Sequence, residues 1–500
     1  MKIRKFRLFS ISVLLSIISL TNANAENLIV DSGGKIPPPT GDQYQVTFNQ
    51  LTDAAIGSHF SYQVKPSTDK NPARPLPHYS ALLPACTSPT ESTCIELVES
   101  RKIGETSWVV GTLSKNQFDV SKIEKPKLEN FYEYGNWPAE KKNEIAAGGV
   151  ASSWDLPKTP HTGGFSYIAA VNFKGQFAVE TQLAEFSVML EPWSWRCAAY
   201  DTCNFIGMAA GETAVNFQPN SEFRITIRMN FLKNKIGTWA VGRLDKPTVS
   251  NQFEKLIVSG SPVVYPMGYA TLNSRSECSE KLEPIFTKLL PNSPKLCTYT
   301  AMAFLTKSND ALALPLFDAL DSAVKQNGQV ARWTFAANKS KDINSECEDP
   351  KNFSLATSNA MLYSVTPPVW DKENGTLNYR LASTHLDNKG NLNKGNYSLA
   401  ISKKRADCLW NFDTAKASAT ISITNSEGTQ NIAVSSLRTS KDWIYFDASG
   451  FTFSAPEIKV KLINNAANAA MKSITCTKGK QSKKVSGVSP KCPTGFKIKK

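Results

Sequence analysis

Two residue types carry the chemistry that can be read from this 500-residue chain, cysteine and lysine. Its ten cysteines fall as four close couples, Cys86 with Cys94, Cys197 with Cys203, Cys278 with Cys297 and Cys476 with Cys492, and one wider couple, Cys347 with Cys408. An even number of thiols is the raw material of disulfides in an oxidising compartment, and neighbour pairing is the simplest connectivity, although spacing alone does not fix it. Metal chemistry would want Cys-x-x-Cys couples or histidines at helical spacing. The chain has no Cys-x-x-Cys, and its four histidines, His59, His78, His161 and His385, stand singly. No metal and no cofactor is expected.

The lysines concentrate at one end. Residues 471–500 hold nine of them and no acid. Lys478, Lys480, Lys483, Lys484, Lys491, Lys497, Lys499 and Lys500 are the candidates for contact with a polyanion; Lys472 opens the run. The whole chain is formally +14, of which Lys2, Arg4, Lys5 and Arg7 contribute four. Taking those away leaves +10, and taking away the nine tail lysines leaves a body near +1. Such asymmetry points to an anionic cell-envelope polymer or lipid as the partner of the tail. The competing reading is a solvated, self-repelling end. Nucleic acid is not expected, because base readout favours arginine forks and stacking platforms, and the tail offers lysine without arginine or many aromatics.

Catalytic signatures are missing where spacing could reveal them. The chain has no G-x-S-x-G elbow, no G-x-x-x-x-G-K-[ST] phosphate loop and no H-E-x-x-H helix, so no catalytic residue is assigned. A Ser-His-Asp site or a pair of glycosidase carboxylates assembles in space and leaves no linear trace, which keeps a secreted hydrolase or glycan-active enzyme as the alternative. The aromatics Tyr132, Tyr134, Trp137 and Trp154 could stack on sugar faces. Packing under a loop is the expected role for them, as for Trp193, Trp195 and Tyr200.

These residues must be positioned by something, and the chain divides accordingly. Residues 1–25 read as a secretory signal: basic residues, an apolar core from Leu8 to Leu20, then Ala23-Asn24-Ala25. No later stretch reaches the ~20 apolar residues of a membrane helix, so no transmembrane segment is expected after cleavage. The expected location is secreted or cell-surface.

The remaining length exceeds one core. A repeated string marks two β domains, 26–145 and 146–275: Lys102-Ile103-Gly104 with Trp108-Val109-Val110-Gly111-Thr112-Leu113, then Lys235-Ile236-Gly237 with Trp239-Ala240-Val241-Gly242-Arg243-Leu244. Between them, 135–162 reads as a linker or exposed loop. A mixed segment, 276–345, carries helices, one with Leu282, Ile285, Phe286, Leu289 and Leu290 at helical spacing and one from Pro315 to Gln326. From 346 to 465 short strands return, punctuated by Asn374-Gly375 and Asn388-Lys389-Gly390. Ile458, Val460 and Leu462 alternate with Glu457, Lys459 and Lys461, the period of a strand with one wet face. The expected class is mainly β: multidomain β-sandwiches of immunoglobulin-like type with a small helical segment. Cys347 and Cys408 would pin the two sheets of the last sandwich, ahead of a lysine-rich disulfide tail, 466–500.

Two stretches resemble known families. Ile474-Thr475-Cys476, Lys478-Gly479-Lys480, Lys483-Lys484-Val485, Gly487, Pro490-Lys491-Cys492-Pro493 and Gly495-Phe496 are similar to a short C-terminal module of exported actinobacterial proteins. Leu377-Asn378-Tyr379-Arg380-Leu381-Ala382, Gly395-Asn396-Tyr397-Ser398-Leu399, Ala406-Asp407-Cys408-Leu409-Trp410 and Gly450-Phe451-Thr452-Phe453-Ser454-Ala455-Pro456 resemble a β domain that often precedes it. The resemblance implies an exported setting and carries over no catalytic residue.

Overall fold

A computed structural model describes residues 39–48, 59–64, 75–115, 117, 132–134, 139, 146–176, 182–197, 203–207, 216–230, 238–252, 254–290, 297, 303–306, 311–338, 347, 354–364, 366–425, 428–432, 436–453, 457–464, 472–479, 481–487 and 491–498. The expected signal, 1–25, lies outside them, as do Trp137 and Tyr200.

Among the described residues the structure is mostly β, in a large branched sheet of 17 strands and smaller sheets of five, six and three. The large sheet branches at the strand Lys325–Asn338. Its first part pairs with Val263–Leu272, and its second part pairs with both Gln182–Cys197 and Trp239–Arg243, all antiparallel. The register against Val263–Leu272 shifts between Pro266 and Gly268, and Gly328, at φ 84°, sits in that bulge. From Gln182–Cys197 the sheet continues to Ser166–Gln176 and then to Pro75–Leu82 and Ser152–Asp155. From Trp239–Arg243 it continues to Ser354–Ser358, Lys394–Ser402 and Trp443–Thr452.

Over one face of this sheet lies the five-stranded sheet, in which Cys94–Lys102 pairs with Ser221–Arg228. The two repeat-bearing segments therefore share hydrogen bonds and a core rather than each closing its own. Tyr167, Phe186, Phe217, Phe223, Ile225, Val258, Trp333 and Phe335 fill the space between the sheets. Each is almost fully buried, worth about 1.5–3 kcal/mol of transfer free energy per large side chain.

The repeated strings explain how the two sheets are joined. Val109–Val110 pairs in the small sheet and Thr112–Leu113 in the large one, so the chain changes sheets at Gly111. In the second string the order reverses: Trp239–Arg243 lies in the large sheet and Asp245–Gln252 in the small one. Both glycines sit where a Cβ has no room, Gly111 against the Leu156 side chain and the Val98 carbonyl, Gly242 against the Thr334 carbonyl and Phe335. The segment expected as a linker is part of this architecture: Ser152–Asp155 is a strand between Thr112–Leu113 and Ser166–Gln176. Trp154 is buried, with its Nε1 donating to Ser152 Oγ at 2.8 Å.

A second core packs strands 354–358, 394–402 and 443–452 of the large sheet on the six-stranded sheet, where Thr376–Ala382, Glu457–Asn464 and Ala417–Asn425 lie side by side. The alternation read from sequence holds: Ile458, Val460 and Leu462 are buried there. Gly375 and Gly390 take φ of 62° and 82° in the expected turns.

Cys347 and Cys408 are bonded, but the bridge does not span two sheets. Cys408 lies on the helix Lys403–Trp410, which Ser402 caps by accepting from Arg405 N. Ser402 reads equally well as a strand end or an N-cap, which is why the helix was hidden in a run of strands.

Helices form the third core against strands Tyr44–Phe48 and Val263–Leu272. The first expected helix is two short ones, Arg275–Lys281 and Glu283–Leu289, the second opening on Pro284 in its first turn. The other runs from Ala313 to Leu320 and gives way to a 3-10 turn at Asp321–Ala323. It stops short of Gln326 because the chain from Lys325 onward is claimed by sheet pairing.

Candidate functional site

The lysine-rich end folds as a small sheet of its own. Lys472–Lys478 and Gln481–Gly487 form a hairpin in continuous register, from Lys472 opposite Gly487 to Lys478 opposite Gln481. Gly479, at φ 58°, makes the turn that a side chain would strain. Lys497–Ile498 pairs with Cys476 and Thr477 as a third strand. The Cys476–Cys492 disulfide, with Cα atoms 5.6 Å apart, ties the middle strand to the returning loop. Cys476 is fully buried, the one buried residue among those of this module whose burial is described. The staple therefore takes the place of a hydrophobic core, as is usual for so small a unit.

Of the candidate lysines, Lys478, Lys483, Lys491 and Lys497 are exposed on this sheet and its loop. Lys484 stands opposite Thr475 in register. Lys480, Lys499 and Lys500 lie outside the described residues. The Lys483 ammonium lies 5.5 Å from the centre of the Phe496 ring, and Lys478 reaches over Gly495. No acid occurs in 471–500 to compensate any of them.

Cations of the body are handled differently. On the five-stranded sheet Arg101 pairs with Glu222 at 2.5 Å, Arg224 with Glu99 at 2.5 Å, and Arg228 and Lys255 with Glu96 at 3.0 and 2.7 Å. The Trp108 ring lies over both Arg101 and Arg224, 4.3 and 4.5 Å from their guanidinium carbons. These cross-strand pairs neutralise the cations they involve, whereas residues 471–500 hold nine lysines and no acid.

Charge is also buried, which composition does not reveal. Arg243, 1% exposed, donates to the carbonyls of Ser358, Ala360 and Met361 and lies between the rings of Tyr265 and Tyr363, 3.7 and 4.7 Å from their centres. Glu191 and Arg332 form a buried ion pair, in which burial pushes the Glu191 carboxyl up to about 7 against the pull of Arg332. Both arrangements are internally partnered and structural in character. The signal that could have found them is a charged residue inside an apolar run, as in Val241-Gly242-Arg243-Leu244 or Ala331-Arg332-Trp333.

The remaining candidates resolve as follows. Cys86–Cys94, Cys278–Cys297, Cys347–Cys408 and Cys476–Cys492 are disulfides. Cys197 and Cys203 stand directly opposite each other across an antiparallel pair of strands. Glu91 lies beside the Cys86 and Cys94 sulfurs, but those sulfurs are bonded to each other and the carboxylate accepts from Thr87 N at 2.9 Å. His161 accepts from Gly163 N at Nδ1, 3.0 Å, which places its proton on Nε2 to donate to Ser166 O at 2.7 Å. Burial lowers its pKa, so this neutral form is favoured. His385 meets the Phe453 carbonyl at 2.8 Å through Nδ1. The backbone register sets His59 opposite Ser80 and His78 opposite Ser61.

Trp193 is fully buried with its Nε1 donating to Ser153 Oγ at 2.9 Å, so it serves packing as expected. Tyr132, Tyr134 and Trp195 lie on strands. No protein-family model matches the chain, and no curated protein or solved structure matches it either.

Proposed function

We propose that the protein is an exported, envelope-associated binding or structural protein whose C-terminal sheet retains it at anionic wall polymer or lipid. The observation that carries this reading is the C-terminal module itself: residues 471–500 hold nine lysines with no acid, on a disulfide-stapled unit appended to a body of nearly balanced charge whose five-stranded sheet pairs Arg101, Arg224 and Arg228 with glutamates. Four disulfides fit an oxidising, extracellular setting. No helix among the described residues is long and apolar enough to cross a membrane, which leaves surface charge as the means of attachment this reading uses. The likeness of the tail to modules of exported actinobacterial proteins agrees with it.

Each lysine brought to an anionic surface contributes on the order of 1 kcal/mol, and that contribution weakens as salt shortens the reach of charge. Deleting residues 471–500 and measuring cell-bound against released protein over a salt series tests the proposal. The full chain is expected to be retained at low salt and released as salt rises, and the truncated chain to be released throughout. Equal retention of the two would refute it.

A further inference from the structure

The C-terminal sheet has two unlike faces. Register assigns Ile474, Cys476, Lys478, Gln481, Lys483 and Val485 to one of them, together with Ile498. That face carries the disulfide and the returning 491–496 loop, with Lys483 against Phe496, while Lys478, Gln481, Lys483 and Ile498 on it remain exposed. Lys478 is drawn to the same loop, 3.2 Å from where a Cβ on Gly495 would stand.

The other face takes the alternate positions. These are Ser473, Thr475 and Thr477 on the middle strand, Ser482, Lys484 and Ser486 on one flank, and Lys497 on the other. Every position is serine, threonine or lysine. Thr477 stands between Ser482 and Lys497, and Thr475 is opposite Lys484, so each of these two threonines has one lysine position beside it. Neighbouring strands are about 4.8 Å apart and same-face residues about 6.6 Å apart along a strand, a spacing at which one oxyanion can meet donors from two strands.

We infer that this hydroxyl and lysine face is the contact surface of the module, and that its partner is a phosphodiester polymer. The inference rests on the proposed function and narrows it to one face and one chemistry. Charge complementarity selects an anion, since the module holds nine lysines and no acid. The donor set selects among anions. Planar carboxylates are best met by the arginine fork, and residues 471–500 contain no arginine. A tetrahedral phosphate, with its oxygens in different planes, accepts separate single donors such as hydroxyls and ammonium point charges. A face without aromatic or exposed apolar side chains has nothing to stack on bases or to insert among lipid chains.

The test uses the full chain, with soluble poly(glycerol phosphate) and poly(glutamate) as probes, and compares Thr475→Val/Thr477→Val with Lys478→Gln/Lys483→Gln. The threonine pair keeps the net charge and is expected to weaken phosphodiester binding about a hundredfold, from two lost bonds to a charged group. The slope of log affinity against log salt should stay unchanged. The lysine pair should lower that slope with a smaller loss at low salt. Ser482→Ala and Lys497→Gln, both at exposed positions, give the same comparison if the valine pair perturbs folding. Equal affinity for the two polymers, or valine variants that bind as well as the wild type, overturns the inference. If deletion of 471–500 leaves retention unchanged, the proposed function itself fails; loss on deletion with no effect of the face variants fails the face assignment alone.

Discussion

Replacing Cys476 and Cys492 by serine removes what holds the C-terminal sheet together, and the size of the effect follows from its geometry. The bridge closes a loop with a sequence separation of 16 residues. Opening a loop of that size restores chain entropy to the unfolded state worth about 3 kcal/mol. Little remains to oppose it. Cys476 is the one buried residue among those of the module whose burial is described, and two or three strands with so small an apolar cluster are marginal in water. Nor do the uncompensated lysines favour compaction.

The double serine variant is therefore expected to lose the sheet entirely while the body stays folded. Hydrogen exchange over Ile474–Val485, alongside limited trypsin cleavage after Lys478, Lys483 and Lys491, reads the module directly, and thermal melting reads the body. Protected amides in the hairpin of the serine variant would refute the reasoning and locate the stability in the strand pairing instead.

Two further outcomes follow from the buried charges. Glu191, held near 7 in the fold against an ordinary 4.5, contributes stability that is fully present below about 4.5 and is lost as pH rises through about 7, in total on the order of 3 kcal/mol. Urea midpoints measured from pH 4.5 to 7.5 should fall more steeply for the wild type than for Glu191→Gln, and parallel curves would exclude this role. Arg243→Met should destabilise by about 3–5 kcal/mol, because it strands the carbonyls of Ser358, Ala360 and Met361 in a buried setting. A loss below about 1 kcal/mol in chemical denaturation would show that those carbonyls find other partners.

What the sequence reveals here tracks how local the physics is. Ile458, Val460 and Leu462 announce their strand because period-two alternation needs only nearest neighbours. The pairings of Cys86 with Cys94 and Cys278 with Cys297 close short loops, so proximity along the chain predicts proximity in space. The partner of Arg224 is Glu99, 125 residues away, and no local pattern marks it. The Trp-x-x-Gly-x-Leu repeat is visible as a repeat, yet its use as a crossing between sheets depends on Leu156 and Thr334, neither of which lies in the string. For the tail, charge is legible at once; the existence of two chemically different faces appears only when register pairs Thr475 with Lys484 and Thr477 with Lys497.

The branching strand Lys325–Asn338 has a consequence for the order in which this protein can assemble. Its backbone completes the sheet under the first core, reaches the sheet that supports the helices, and abuts Trp239–Arg243, through which the second core is bounded. A chain emerging from its N-terminus can form the pairings within 44–272, yet it keeps open the edges of Gln182–Cys197, Trp239–Arg243 and Val263–Leu272 that this strand closes until it is available. Non-local pairing of this kind makes folding slow and late. Under the export proposed above, lateness is compatible with transport, since a threaded polymer would reach the far side before the piece that locks it into shape.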